Sequence, residues 1–223
     1  MNGILNDINI KYLKSLRPKL DPVLADIQQY SIKGNIPIVS YEVGKFLELM
    51  TLIKDPENVL EIGTAVGFSS IFIARALKTR GKLTTIESSA PCVEKAENNF
   101  KRAGVNNKVK AICGNALKVL PKLLTEYPGE SRPRRYDMAF IDARKEEYRK
   151  YLNHTIKIMN HTGIIIIDNL LWQGQTAGGA QVMEGYEAAT DALIKFNKYF
   201  LKHPDITSTI LPVGDGIGLA TLR

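Results

Sequence analysis

From residue 57 onward, short apolar runs alternate with longer stretches in which apolar positions recur every three or four residues. The runs predict β-strands at 58–62, 82–87, 108–113, 136–141 and 163–168, and the periodic stretches predict helices at 68–78, 90–103, 115–126, 145–158 and 181–201. Such alternation makes a parallel, doubly wound α/β sheet, because a crossover helix is what joins two parallel neighbours. The end of the chain breaks the rhythm. ITSTILPV and IGLATL are separated only by GDG, too short for a crossover, so they pair as an antiparallel hairpin. Residues 1–53 read as three helical segments, broken at Pro18 to Pro22 and again at Gly34 to Pro37.

Polar residues of particular kinds stand where the apolar runs stop. In VLEIGTAVGFSS at 59–70, Gly63 and Gly67 open a turn between a strand and a helix, so a ligand can sit against the helix N-terminus. Ala65 and Val66 occupy the place where a dinucleotide fingerprint needs its second glycine, which disfavours a pyrophosphate and suits a nucleoside without one. Glu87 ends the strand KLTTIE about twenty residues further on, where a carboxylate can accept both ribose hydroxyls. GNAL at 114–117 follows the third strand. FIDARKEEY at 140–148 and IIIIDNLLW at 164–172 then supply Asp142, Asp168 and Asn169, three oxygen donors of the kind that hold a hard cation. Taken singly, each Asp could be a helix cap. Ligands of an open α/β sheet collect beyond the carboxyl ends of its strands, however, and five helix caps would have no need to share a cleft there.

At 223 residues with 44% hydrophobic content the chain can bury a full core and suits one domain, 1–223, with the helical segment 1–53 packed on it. No apolar stretch approaches twenty residues, and the N-terminus lacks a signal-peptide pattern, so a cytoplasmic protein without a membrane contact is expected. Two cysteines, Cys92 and Cys113, imply no disulfide framework and are expected as buried free thiols. His154, His161 and His203 lack metal-ligand spacing. The net charge of +7 favours a polyanionic partner. Its basic residues gather around the Asp142 strand, with Arg132, Arg134 and Arg135 before it and Arg144, Lys145, Arg149 and Lys150 after it; half of these read equally well as the solvated face of a helix.

The glycine turn, the strand-end acids and the two Asp phrases together resemble the cation-dependent class I O-methyltransferases that use S-adenosylmethionine, which include catechol and caffeoyl-CoA O-methyltransferases. Within that family IPIVS at 36–40, LEIGTAVGFS at 60–69, FIDARKEEY, IIIIDN and HPDITSTILPVGDGIGLA at 203–220 are similar to the bacterial tRNA 5-hydroxyuridine methyltransferases. The resemblance covers nearly the whole chain. It implies a Rossmann-like sheet of seven strands, mostly parallel with a C-terminal antiparallel hairpin and helices on both faces, and it implies a homodimer.

For the cofactor, the resemblance carries over Glu61, Gly63 and Ser69 around the first loop, Glu87 on the ribose, Gly114, Asn115, Ala116 and Asp142 toward the adenine and the centre, and Val39 at the methionine end. Asn115 departs from the more frequent Asp. The metal, magnesium or manganese, would be held by Asp142, Asp168 and Asn169, and Lys145 matches the lysine that takes or stabilises the departing proton. The acceptor implied is 5-hydroxyuridine in a tRNA anticodon loop, whose 5-hydroxyl lies beside O4; a small phenol such as a catechol or a caffeoyl-CoA ester is the alternative. Tyr148 and Trp172 are candidates for the substrate mouth, although aromatics beside apolar strand ends are commonly core or interface. The Arg-bearing insert at 125–135 has an open role: RNA, a dimer contact or neither.

Overall fold

The computed structural model describes residues 7–123 and 135–223. Three helices open it: α1 (Asp7–Ser15), α2 (Pro22–Lys33) and α3 (Tyr41–Lys54). The breaks between them have local causes. Asp21 caps α2, its Oδ1 accepting from Val23 N at 3.1 Å, and Pro22 occupies the first helical position, where a missing N–H costs nothing. Ser40 caps α3 in the same way, accepting from Val43 N at 3.3 Å.

Strands and helices then alternate: β1 (Asn58–Ile62), α4 (Phe68–Ala76), β2 (Lys82–Glu87), α5 (Ala90–Arg102), β3 (Val109–Cys113), α6 (Ala116–Leu123), β4 (Tyr136–Ile141), α7 (Tyr148–Ile158), β5 (Met159–Ile167), α8 (Glu187–Leu201), β6 (Ile206–Leu211) and β7 (Ile217–Leu222). All seven strands join one sheet in the order β3-β2-β1-β4-β5-β7-β6. The first five are parallel, and β7 runs antiparallel to both β5 and β6, as the hairpin requires. Successive strand residues serve opposite faces. Val59, Met138, Phe140 and Ile166 pack in one core with α2, α3, α4 and α5, whereas Leu60, Ala139, Ile141 and Ile165 pack in a second with α6, α7 and α8. Helices therefore cover both faces.

The differences from the sequence expectation lie at element ends. A 3₁₀ turn at Lys145–Glu147 precedes α7, and another at Trp172–Ala177 occupies part of the connection ahead of α8, which starts at Glu187 rather than 181. The strand β5 begins at Met159, four residues early, because 159–162 continues straight from α7 without a separate loop. The expected extension of the 115–126 helix beyond Leu123 lies outside the described residues, as do Arg132 and Arg134. The cysteines are free, but neither is buried: Cys92 is half-buried and Cys113 exposed. Cys113 ends β3, the edge strand of the sheet, and Cys92 lies in the first turn of α5. His203 is buried and structural, its Nδ1 accepting from Asp205 N at 3.2 Å. No helix among the described residues is long and apolar enough to cross a membrane.

Candidate functional site

The strand order reverses direction between β1 and β4, and the loops leaving those strands diverge to opposite faces at their carboxyl ends. Backbone bonds carry the ladder past the strands: Gly63 N donates to Ile86 O, Gly114 N to Glu87 O, Asp142 N to Ile62 O and Asp168 N to Ile141 O, at 2.8–3.0 Å. This register aligns the first polar residue after each strand along one edge. A cavity of about 1420 Å³ opens there, walled by the sheet edge, by α1 and by the β6–β7 turn.

One end of the cavity is built on the glycine turn. Gly63 has φ 101°, and a Cβ there would collide with the carbonyl of Asp142, so only glycine lets the loops after β1 and β4 approach this closely. Glu87 lies beside the turn, its Oε2 accepting from Ala65 N at 3.0 Å and its Oε1 from Ser89 N at 2.9 Å. Gly114, Asn115 and Ala116 line the same end, and Ser69 and Val39 line its floor and side. Glu61 does not reach the cavity. It is fully buried beneath the turn, accepting from Ser69 Oγ at 2.6 Å, from Thr85 Oγ1 at 2.6 Å and from Ser70 Oγ. Burial holds its pKa above the usual carboxylate value, and the three hydroxyls offset only part of that rise. The reason is position along the strand: Glu61 lies inside β1, on the face that α4 covers with Ser69 and Ser70, whereas Gly63 lies beyond the strand's last residue and so reaches the edge.

The other end gathers Asp142, Lys145, Asp168 and Asn169. Lys145 Nζ donates to Asp142 Oδ1, Asn169 Oδ1 and Tyr148 Oη, each at 2.7 Å. Three acceptors thus meet the three N–H groups of one ammonium. Tyr148 in turn donates to the carbonyl of Asp168 at 3.2 Å, and its ring is wholly buried against Phe196. It is a support beneath Lys145, not a wall of the mouth. Trp172 does line the cavity, its ring 5.6 Å from Lys145 Nζ, and its buried indole N–H has no hydrogen-bond partner among the described residues. Asp168 is 2% exposed, and its pKa is pushed up to about 8, chiefly by burial and then by the charge of Asp142.

This donor set fits a hard cation. Asp142 and Asn169 already turn one oxygen each toward a single positive group, and Asp168 is a buried carboxylate that needs positive charge beside it to ionise. Among the described residues no three His, Cys, Asp or Glu side chains gather as a metal cluster; the set here is two carboxylates and an amide.

The basic residues divide. Arg144 lies on the cavity wall and Arg135 is exposed, but the Arg149 guanidinium stacks 4.2 Å over the Tyr199 ring and belongs to the outer face of α7. Lys14 of α1 and Arg17, two residues past its end, also reach the cavity, although no motif in the sequence marks them. Asp215, in the β6–β7 turn, was legible only as a hairpin residue, yet it accepts from Asn169 Nδ2 at 3.3 Å and from Gln173 N at 2.5 Å.

Comparison with known proteins bears directly on this site. Residues 15–222 match the family model described as O-methyltransferase. The chain is 33% identical over 230 residues to the catechol O-methyltransferase of Niastella koreensis, covering all of both chains, and 34% identical over 210 residues to that of Mycobacterium tuberculosis, covering 91% of this chain and 90% of the other. Among solved structures, the O-methyltransferase TomG of Streptomyces achromogenes, determined in complex with S-adenosylmethionine, superposes with a TM-score of 0.82 at 30% identity, covering 98% of this chain and 96% of that one. An O-methyltransferase from Bacillus cereus with bound S-adenosylhomocysteine gives 0.82 at 28% identity, with 96% of each chain covered. With the family model spanning almost its entire length, this chain belongs to the O-methyltransferase family and is a methyltransferase enzyme.

Proposed function

We propose that this enzyme transfers the methyl group of S-adenosylmethionine to one oxygen of a vicinal pair on a small phenol, with a divalent cation held by Asp142, Asp168 and Asn169. The observation that carries the reading is the meeting of Asp142, Asn169 and Lys145 at 2.7 Å within the same cavity that holds Gly63 and Glu87. The nucleoside would occupy the glycine-turn end, its ribose on Glu87 and its adenine near Asn115 and Ala116. The acceptor would lie between Lys145 and Trp172.

A hard cation bound there supplies positive charge that favours the ionised hydroxyl. Lys145, once its ammonium has given a proton to solvent and stands as the neutral amine, takes the proton of the hydroxyl. The acceptor oxygen then bonds to the methyl carbon as the carbon–sulfur bond breaks, leaving S-adenosylhomocysteine. Holding both reactants in one cavity makes the step effectively unimolecular. Relatives named catechol and caffeoyl-CoA O-methyltransferases, at 33% and 29% identity, support a phenolic acceptor over a tRNA base.

One observation favours the second reading, 5-hydroxyuridine of a tRNA anticodon loop: Lys14, Arg17 and Arg144 all face the cavity and could meet phosphates. A single assay separates the two. Purified enzyme with magnesium and labelled S-adenosylmethionine is given catechol, caffeoyl-CoA or tRNA containing 5-hydroxyuridine, and products are identified by mass spectrometry. The phenols should be monomethylated; labelling confined to the tRNA, as 5-methoxyuridine, would replace the phenolic reading.

A further inference from the structure

The chain from Asn169 to Gly174 is held in an unusual conformation. Asn169, Trp172 and Gln173 have φ of 62°, 49° and 53°, and Gly174 follows at 84°. Left-handed backbone is uncommon for any residue with a Cβ and is an outlier for one as bulky as Trp, so surrounding contacts must impose it. This strap carries both Asn169, a candidate ligand, and Trp172, a wall of the acceptor end.

Asp215 grips the strap at three points. Its Oδ1 accepts from Gln173 N at 2.5 Å, its Oδ2 from Asn169 Nδ2 at 3.3 Å, and its backbone carbonyl from Leu171 N at 2.9 Å. The turn can come so near because residue 216 is glycine: at φ 90° a Cβ there would stand 2.5 Å from Leu171 Cγ and 2.7 Å from Leu171 N. The side-chain contact has a chemical consequence. An amide's oxygen and nitrogen ends are nearly equal in shape, and their assignment follows from the hydrogen-bond network. An ionised carboxylate only accepts, so Asp215 draws the Nδ2 end toward itself and leaves Oδ1 facing Lys145 and Asp142.

We propose that Asp215 is a positioning residue: its carboxylate clamps the strained strap and turns the Asn169 amide so that its oxygen, not its nitrogen, faces the cation end of the cavity. Its second half rests on the metal reading above. Nothing in the sequence distance suggests the link, since 46 residues separate Asn169 from Asp215.

Two measurements test it. The protein's single tryptophan is Trp172, so its fluorescence reports the strap alone. In metal-free protein, acrylamide quenching should rise at least about twofold in Asp215→Ala, with circular dichroism confirming the fold; Asp215→Gly serves if the alanine variant does not fold. The second measurement is Mn²⁺ binding by calorimetry, needing no turnover. Asp215→Asn places an amide against the Asn169 amide and should weaken Mn²⁺ about 10- to 100-fold, the usual cost of losing a ligand's outer partner. The double variant Asn169→Asp with Asp215→Asn exchanges carboxylate and amide, keeps the net charge and restores a donor–acceptor pair. It should return affinity to within about threefold of wild type, and Asn169→Asp should raise affinity more in the Asp215→Asn background than in wild type, a coupling that two independent effects would not give. Unchanged quenching in the Asp215 variants overturns the clamp. Mn²⁺ affinity unaltered by Asp215→Asn, or not restored in the double variant, overturns the orienting role. Wild-type protein that binds no Mn²⁺ instead refutes the metal reading, and quenching then decides the clamp.

Discussion

Lys145 and Asn169, which leave different strands 24 residues apart, meet with Nζ 2.7 Å from Oδ1. Their contact, shared with Asp142, sets the candidate base beside two of the three oxygen donors, and Asp168 lines the same end of the cavity. Replacing Lys145 by Met keeps the length of the side chain and removes its charge and basicity. Turnover should fall about 10²- to 10⁴-fold, the usual contribution of a positioned base. Affinity for S-adenosylmethionine should stay within about twofold, as calorimetry would record. A variant that turns over at the wild-type rate would remove Lys145 from the chemistry.

The oxygen donors predict a metal requirement. Enzyme stripped with chelator should lose activity and regain it with magnesium or manganese, both of which favour oxygen ligands. Asp168→Ala should abolish turnover while cofactor binding persists. Full activity in chelator would mean that the two carboxylates serve another purpose.

Glu87 faces the cavity from β2, and its carboxylate is also bonded to the backbone of Ala65 and Ser89. Glu87→Ala should cost about 1.5–3 kcal/mol of cofactor affinity through lost hydrogen bonds to a charged group. Titration calorimetry on the metal-free protein measures this directly. Equal affinity in wild type and variant would place the ribose elsewhere.

Glu61 gives a prediction in pH. Burial raises its folded-state pKa above the ordinary value of 4.5, so the folded protein holds this proton more tightly than the unfolded chain does. The resulting stabilisation is complete below the unfolded pKa and is lost as pH rises through the folded one. Urea midpoints taken in chelator from about pH 4 to about pH 8 should therefore decline more steeply for wild type than for Glu61→Gln, which has no such proton to lose. Parallel profiles would show that Glu61 ionises as readily folded as unfolded.

Much of the architecture follows from local pattern. Period-two and period-3.6 hydrophobicity located seven strands and their helices because each burial face is written residue by residue, and GDG between two apolar runs left no topology but a hairpin. The polar residues at strand ends were likewise legible, since a doubly wound sheet must bring those ends to one edge. Element ends and side-chain direction were not. Glu61, two positions before Gly63, lies inside β1 beneath α4 instead of at the open edge, and its three hydroxyl partners come from β2 and α4.

The sequence by itself determined the sheet, the edge where chemistry gathers and the donor types available there, because those depend on periodicity and on residue chemistry. Only the tertiary structure decided which groups touch. Tyr148 became the support of Lys145 because α7 packs its ring against Phe196. Asp215 reached Asn169 because β7 pairs antiparallel with β5 and returns the hairpin turn to the carboxyl end of the parallel strands. Contacts between residues so far apart in the chain are set by the packing of whole elements, which no local pattern encodes.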